Sequence, residues 1–191
     1  MPTPNPADPI RDRRHVRAIK SMLKTNDKHQ QYLFFTLAIN SGLRTGDLLK
    51  LQVGDLWKTD GAPRKQFSKR AQKTGSLAIT QINDAIQEAM RYAEKAIPVY
   101  DLDAPLFTVS RQMVSRWVKK WCHDIGIDRG NYSAHSLRKT FAYQLWTEQG
   151  RSFETLVVVS KALGHKSTGT TMDYLGIRRE QVAKWQSKLN L

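Results

Sequence analysis

The chain has 191 residues, enough for one domain or for two small ones, and 31 Lys and Arg against 17 Asp and Glu give it a formal net charge of +14. A folded domain this basic usually binds a polyanion, although a solvated basic surface is the alternative. One cysteine, Cys122, excludes an internal disulfide, and the absence of an 18-residue apolar run excludes a membrane-spanning helix. We therefore expect a cytoplasmic protein without a membrane partner, in which Cys122 is buried and inert.

The N-terminal part of the chain predicts a loose tail and two helices. Residues 1–8 contain three prolines and predict a flexible tail. The first helix is predicted to begin at Pro9 with Asp8 as its N-cap, since apolar residues then recur at spacings of three and four. A second, strongly apolar helix is predicted over about 28–41, with Gly42 as its C-cap. A short helix follows in RTGDLLKL.

Residues 58–81 change in character and predict a small antiparallel sheet. Turn signals occur at Asp60-Gly61 and at Thr74-Gly75, and short β-compatible pieces surround them. Lys73 falls at the second turn.

The rest of the chain is predicted to be helical, and no Pro/Gly-rich linker divides it. We therefore predict one domain over 9–191, with a mostly α fold that carries a small antiparallel β-sheet (α+β). The predicted helical segments are INDAIQEAMRYAEKAI, SRQMVSRWVKKWCHDIG with a serine N-cap, HSLRKTFAYQLWTEQG, SFETLVVVSKALGH, TTMDYLG and, at 178–191, RREQVAKWQSKLNL.

Five polar residues lie at unusual places in these patterns. Arg44 follows a glycine between two apolar stretches, and His135 and Arg138 share one face of a helical first turn, where Ser133 or Ser136 can cap the helix. His165 lies at a corner between two predicted helices, the second of which starts at Thr170 or Thr171, and Tyr174 follows nine residues later. Taken one by one, solvated arginines, satisfied histidines and a core tyrosine are the alternatives.

Taken together, these residues suit a phosphodiester. They include no carboxylate pair, no cysteine nucleophile and no metal-ligand spacing. Two guanidinium groups can bind phosphate oxygens in forked geometry and stabilise the charge that grows on them in the transition state. A tyrosine hydroxyl can then act as the nucleophile without a metal.

Four ordered stretches resemble one known family. SGLRTGDLLKLQVGDL, QKTG, HSLRKTFA and LGHKSTGTTMDYLGI span residues 40–177 and resemble the catalytic domain of the tyrosine recombinases, also called phage integrases. The resemblance implies a site-specific DNA recombinase of the integrase or invertase type, which cleaves and rejoins strands through a 3′-phosphotyrosine without cofactor, metal or ATP. The alternatives are a catalytically weak or inactive DNA-binding regulator derived from a recombinase, and a type IB topoisomerase-like enzyme.

The resemblance also implies a role for each matching residue. Arg44 and Arg138 would clamp the scissile phosphate, and Tyr174 would attack it and leave a free 5′-hydroxyl. Lys73 would be the general acid for the 5′-oxygen, although other basic residues lie near it in this variable loop.

The remaining roles belong to three polar residues. His135 would assist proton transfer with the attacking tyrosine, and His165 would hydrogen-bond the phosphate. Asp47 would support the arginine and histidine groups.

The expected partner is double-stranded DNA, on which the family implies a homo-oligomer, a tetramer, and a DNA-bending accessory protein; DNA binding would make the protein nucleoid-associated. We expect the short form that lacks the N-terminal core-binding domain, or an isolated catalytic domain. The C-terminal segment 178–191 would dock on a neighbouring subunit or fold back on its own core. Candidate DNA contacts are Arg64, Lys65, Lys69, Arg70, Arg111, Arg116, Lys119, Lys120, Lys139 and Lys166.

Overall fold

A computed structural model of the chain describes residues 6–70, 75, 77–177 and 186–188. The prediction of a mostly helical fold with a small antiparallel sheet is confirmed. The elements, in chain order, are α1 (Arg13–Thr25), α2 (His29–Ser41), α3 (Thr45–Leu48), α4 (Val53–Leu56), β1 (Gln66–Arg70), β2 (Leu77–Gln81), α5 (Asp84–Ala93), α6 (Arg111–Asp124), α7 (Ala134–Glu148), α8 (Phe153–Leu163) and α9 (Thr168–Leu175).

The chain divides into two compact units, Met1–Phe141 and Ala142–Leu191, so that the boundary falls inside α7. One catalytic domain over 9–191 stays a prediction. Most of the predicted C-terminal helix over 178–191 lies outside the described residues. In the part of the chain that the structure describes, no helix has the length and apolar character needed to cross a bilayer.

The first helix begins four residues later than predicted. The start at Pro9 is wrong, because α1 begins at Arg13 and its N-cap is Asp12. The Asp12 carboxylate accepts a hydrogen bond from the Arg14 backbone N–H at 2.7 Å and another from the Arg14 guanidinium Nε at 2.9 Å. An aspartate nearer to the first helical turn therefore supplies the cap that the sequence assigned to Asp8.

Asp8 instead ties the N-terminal segment to the start of α7. Its backbone N–H donates to the Asn131 carbonyl at 2.9 Å, and its carboxylate accepts from the Asn131 N–H at 2.9 Å. Two residues later, the Ile10 N–H donates to Thr140 Oγ1 at 2.9 Å, and the Ile10 side chain is fully buried. Residues 1–5 of the predicted flexible tail lie outside the described residues.

Helix α2 is the central element of the first unit. Every residue from 32 to 38 is buried, as expected for a helix that is apolar on all sides. Phe34 packs edge-on against Phe107 with ring centroids 5.0 Å apart, and Phe35 packs against Trp121 of α6 at 5.5 Å. The contact with Trp121 fixes α6 against α2, and α1 and α5 also pack against α2.

Helix α6 places its apolar face in the same core. Ser110 caps it, since the Ser110 hydroxyl accepts from the Met113 N–H at 3.2 Å, which confirms the predicted serine cap. Cys122 on the inner face is buried, and burial raises the pKa of its thiol to about 12. The interpretation of Cys122 as a buried, unreactive thiol agrees with this environment.

The small sheet consists of β1 paired antiparallel with β2, in a register that places Gln66 opposite Gln81 and Phe67 opposite Thr80. Phe67 and Thr80 form its buried side, and the opposite side faces solvent. Residues 71–74 and 76 of the connecting turn, with the predicted general acid Lys73, lie outside the described residues.

Gly42 ends α2 as predicted and adopts the left-handed conformation, with φ of 62°. A side chain has no room at this position, because a Cβ atom on Gly42 would lie 2.4 Å from Cδ1 of Phe141. Both the backbone conformation and the contact with the Phe141 ring therefore require glycine.

We expect Gly42→Ala to lower the free energy of unfolding by about 3 kcal/mol, because left-handed strain adds to the displacement of the Phe141 ring. Gly61→Ala is the matched control, since Gly61 has φ of 77° in the Asp60-Gly61 turn and nothing within 4 Å of its Cβ position. That variant should lose only about 1 kcal/mol. Urea denaturation of both proteins measures the difference, and equal losses would contradict the role of the Phe141 contact.

Candidate active site

A cleft of about 500 Å³ opens in the first unit, where α3, the first turn of α6 and the start of α7 meet. Three of the predicted site residues line it. The lining residues are Arg44, Thr45, Gly46, Asp47, Arg111, Ser115, Ser133, Ala134 and His135.

Arg44 enters this cleft from the residue that precedes α3. Its backbone is extended, and its carbonyl accepts from the N–H groups of Asp47 and Leu48 at 2.8 and 3.0 Å, which starts the short helix. The Arg44 side chain is half-buried and makes no hydrogen bond or ion pair with the described residues. A guanidinium in this position retains its donors for an anion.

Arg138 is anchored beside the same segment. Its side chain is 6% exposed, and its Nη1 donates to the Gly42 carbonyl at 2.5 Å. Gly42 lies only two residues before Arg44, so this bond places the second arginine next to the chain that carries the first. Asp47, the predicted supporting acid, is also buried and lines the cleft.

The start of α7 is held by hydrogen bonds from two other elements. The Ala134 N–H donates to Ser115 Oγ of α6 at 3.3 Å, and the Ala134 carbonyl accepts from Thr45 Oγ1 of α3 at 3.3 Å. The Ser136 hydroxyl accepts from the Ser133 N–H at 3.0 Å, so both predicted capping serines take part in the helix start. His135 follows directly, which fixes its backbone at the cleft.

His135 is held in its neutral form by its surroundings. Its side chain is exposed in the cleft, yet partial loss of hydration lowers its pKa to about 4, together with the positive charges of Lys139, Arg138, Arg44 and Arg111, in that order. A histidine with a lowered pKa is uncharged at neutral pH and can accept a proton. Its preference for the neutral form stabilises the fold above the pKa of the unfolded chain, and that contribution is lost as the pH falls from about 6.5 towards 4.

We expect the His135 ring to titrate at about pH 4 in an NMR titration of the free protein. Arg44→Gln should raise this pKa, because it removes a positive charge that opposes protonation. Arg91→Gln, at an exposed position in the last turn of α5, removes the same charge elsewhere and should leave the pKa unchanged. Titration of the wild-type ring near its ordinary value of about 6.5 would contradict the assignment.

The second unit holds the other two predicted site residues. Helix α8 ends at Gly164, which is left-handed with φ of 61°. Helix α9 begins at Thr168 with Ser167 as its cap, so its predicted start at Thr170 or Thr171 is wrong by two or three residues. The Ser167 hydroxyl accepts from the Thr170 N–H at 3.3 Å, which moves the start of the helix back.

His165 and Tyr174 lie against each other in this corner. Their ring centroids are 5.2 Å apart, and the rings meet edge-on at 77°. His165 Nδ1 lies 2.9 Å from Thr171 Oγ1, and Ser160 Oγ donates to the same hydroxyl at 2.7 Å. The buried pair Ser160 and Thr171 therefore orients the His165 ring, which in turn contacts the half-buried Tyr174.

The structure thus brings Arg44, Asp47, His135 and Arg138 together in the first unit, and it brings His165 and Tyr174 together in the second. Arg111 was predicted only as a DNA contact, yet it lines the cleft. The sequence did not predict that Arg111 shares a cleft with Arg44, because the approach of α6 to α3 results from packing and leaves no local signal. Within the described residues, no three His, Cys, Asp or Glu side chains lie in a metal-binding arrangement.

The other predicted DNA contacts differ in exposure. Lys139 is 7% exposed, loss of hydration lowers its pKa, and its contact with DNA stays a prediction. Lys69 is half-buried and forms an ion pair with Asp55 at 2.9 Å. The exposed members are Arg64, Lys65, Arg70, Arg111, Arg116, Lys119, Lys120 and Lys166, and their contact with DNA stays a prediction.

Comparison with known proteins decides the family. Residues 12–181 match the sequence profile of the phage integrase family. The chain belongs to the phage integrase family. This integrase-family chain is 27% identical over 175 residues to the probable integrase/recombinase YoeC of Bacillus subtilis, with 88% of the chain and 89% of YoeC covered. It is 28% identical to the tyrosine recombinase XerC of Caldanaerobacter subterraneus, of which it covers 48%.

Solved structures of integrase-family proteins share its fold. A XerH recombinase bound to difH DNA in a post-cleavage complex superposes with a TM-score of 0.66 at 16% identity, covering 94% of this chain and 52% of that one. A lambda integrase dimer bound to a COC′ core site gives 0.64 at 18% identity, covering 91% and 49%. The chain therefore has the tyrosine recombinase catalytic fold and spans about half the length of these relatives.

Proposed function

We propose that the chain is a site-specific DNA recombinase that cleaves and rejoins strands through a covalent 3′-phosphotyrosine. One observation carries the proposal: an integrase-family chain has a cleft lined by Arg44 and neutral His135, while its second unit pairs His165 with Tyr174. The names of its relatives support the same activity, since XerC and XerD are tyrosine recombinases.

The two arginines would hold the scissile phosphate. Arg44 has no ion pair with the described residues, and the guanidinium of Arg138 is fixed by Gly42. A planar guanidinium donates two parallel hydrogen bonds to phosphate oxygens, and these bonds strengthen as negative charge grows in the transition state. Asp47 would keep this segment in place from beneath the cleft.

Tyr174 would supply the nucleophile. Its hydroxyl oxygen attacks phosphorus, the bond from phosphorus to the 5′-oxygen breaks, and the tyrosine proton passes to a base as the new bond forms. His135 would be this base, because its imidazole is neutral at pH 7 and lines the same cleft as Arg44. His165 would donate a hydrogen bond to a phosphate oxygen.

The leaving 5′-oxygen needs a proton, which Lys73 would provide as general acid. The 5′-hydroxyl of another strand can later attack the phosphotyrosine and restore a phosphodiester. Each cleavage conserves the number of phosphoester bonds, so strand exchange needs no external energy source. Lys73 lies outside the described residues, and this role rests on the resemblance of QKTG to the family motif.

Double-stranded DNA is the proposed partner, and the net charge of +14 supports it. We also propose assembly on DNA, because lambda integrase forms a dimer on a core site and a tetramer on a Holliday junction. The accessory protein that bends DNA, nucleoid association and subunit docking by 178–191 stay predictions.

The decisive experiment finds the recombination site and tests the chemistry together. A pool of nicked suicide duplexes with randomised sequence is incubated with the protein, and covalent adducts are isolated under denaturing conditions and sequenced. We expect adducts enriched for one sequence, with none from Tyr174→Phe, which lacks the nucleophilic oxygen. Arg44→Lys should cleave the enriched sequence about 10²–10³ times more slowly, since a compact ammonium cannot replace the forked donor.

Matched controls separate the possible results. Arg91→Lys, outside the cleft, should cleave at the wild-type rate, and Tyr174→Phe should retain duplex binding. Tight binding without any adduct from the wild-type protein would favour a DNA-binding regulator. Adducts without sequence enrichment, together with relaxation of any supercoiled plasmid, would indicate topoisomerase-like activity.

A further inference from the structure

Arg111 is a second cleft arginine that has no partner among the described residues. It is the first residue of α6, its side chain is exposed, and it lines the same cleft as Arg44 and His135. Like Arg44, it makes no hydrogen bond or ion pair with the described residues. Most exposed arginines gain little from a fixed position, so an arginine that points into a cleft needs a reason for its placement.

Gly46 gives that reason, because it leaves the space that the guanidinium occupies. A Cβ atom on Gly46 would lie 2.9 Å from Nη2 of Arg111, closer than side-chain atoms normally approach. Gly46 lies within α3 and does not have a positive φ, so its backbone would accept alanine without strain. Because Nη2 is the far end of a flexible side chain, a methyl group at position 46 would move the guanidinium out of this place at little cost to the fold.

The charge in this cleft also favours a bound anion. Arg44, Arg111 and the nearby Arg138 each carry a positive charge, whereas Asp47 is the only acid among the described lining residues. The positive charge of Arg111 reaches His135, whose protonation it opposes. An anion in the cleft would relieve the repulsion among these cations.

We propose that Gly46 is a positioning residue, whose missing side chain leaves the space beside α3 that the Arg111 guanidinium occupies. We propose also that Arg111 binds a DNA phosphate next to the scissile one. The volume of about 500 Å³ exceeds what one phosphate group fills, so a second phosphate of the strand has room. Arg44 and Arg138 hold the reacting phosphate, and Arg111 holds its neighbour and sets the register of the strand. This inference rests on the proposed function, which defines the scissile phosphate, whereas the contact of Arg111 with a DNA phosphate requires only that the cleft binds DNA.

A double-mutant cycle on the intact chain tests both parts. The probe is a mixed-sequence duplex of about 30 base pairs, and its affinity is measured by fluorescence anisotropy across a salt series. Arg111→Ala should weaken binding about tenfold and reduce the slope of log affinity against log salt by about one, as expected for one lost phosphate contact. Arg91→Ala removes the same charge from an exposed site outside the cleft and should leave the slope unchanged.

Gly46→Ala should weaken binding about threefold or more, because its methyl group displaces the guanidinium. It should also reduce the slope of log affinity against log salt, as Arg111→Ala does. Its thermal unfolding should be unchanged or slightly higher, since alanine is the better helix former. The double variant should bind no more weakly than Arg111→Ala, because Gly46 acts only through Arg111.

Three results would overturn the proposal. Additive losses in the double variant would show that Gly46 acts independently of Arg111. An unchanged affinity and slope in Arg111→Ala would remove the phosphate contact. A change in sequence preference with an unchanged slope would show that Arg111 reads a base edge instead. The assay measures DNA binding and needs no strand cleavage. It therefore remains interpretable if Tyr174 does not cleave DNA, and a negative result in it would not contradict cleavage by Tyr174.

Discussion

The hydrogen bond from the Arg138 guanidinium to the Gly42 carbonyl is the constraint on which the cleft depends. It joins the end of α2 to the first turns of α7, and Gly42, which accepts it, adopts the left-handed conformation and leaves no room for a side chain beside Phe141. Arg44 follows two residues later and is directed into the cleft by the start of α3. One buried contact therefore sets the positions of both proposed phosphate clamps relative to the apolar core.

The positively charged side chains at the cleft repel one another. Arginine side chains collect around one cleft with Asp47 as the only described acid lining it. Loss of hydration, followed by the positive charges of Lys139 and of these arginines, lowers the pKa of His135 to about 4. The fold tolerates the repulsion because the helices that carry these residues are fixed by packing, as Phe35 against Trp121 fixes α6. A site that is repulsive when empty and favourable with a polyanion suits binding to the DNA backbone. The neutral histidine is then available as a proton acceptor.

In the second unit, polar contacts between side chains orient the residues around Tyr174. Ser160, Thr171 and His165 form a chain of polar contacts that ends at the edge of Tyr174. Two left-handed glycines, Gly164 and Gly176, bracket this segment and limit α9 to a short helix. Tyr174, the proposed nucleophile, lies on this short helix between two turns, a position that suits a residue proposed to bond to a phosphate and later release it.

Sequence alone determined the helical class, the hairpin, the glycine that ends α2 and the family motifs, because periodicity, turn residues and motif spacing are local properties. It misplaced the starts of α1 and α9, where Asp12 and Ser167 cap the helices in place of the predicted residues. Only the tertiary structure decided that Arg111 shares a cleft with Arg44, that Gly46 makes room for it, and that Lys139 is buried. Those facts depend on how α6 and α7 pack against α2 and α3. Such contacts join residues that are distant in sequence, and local sequence patterns do not reveal them.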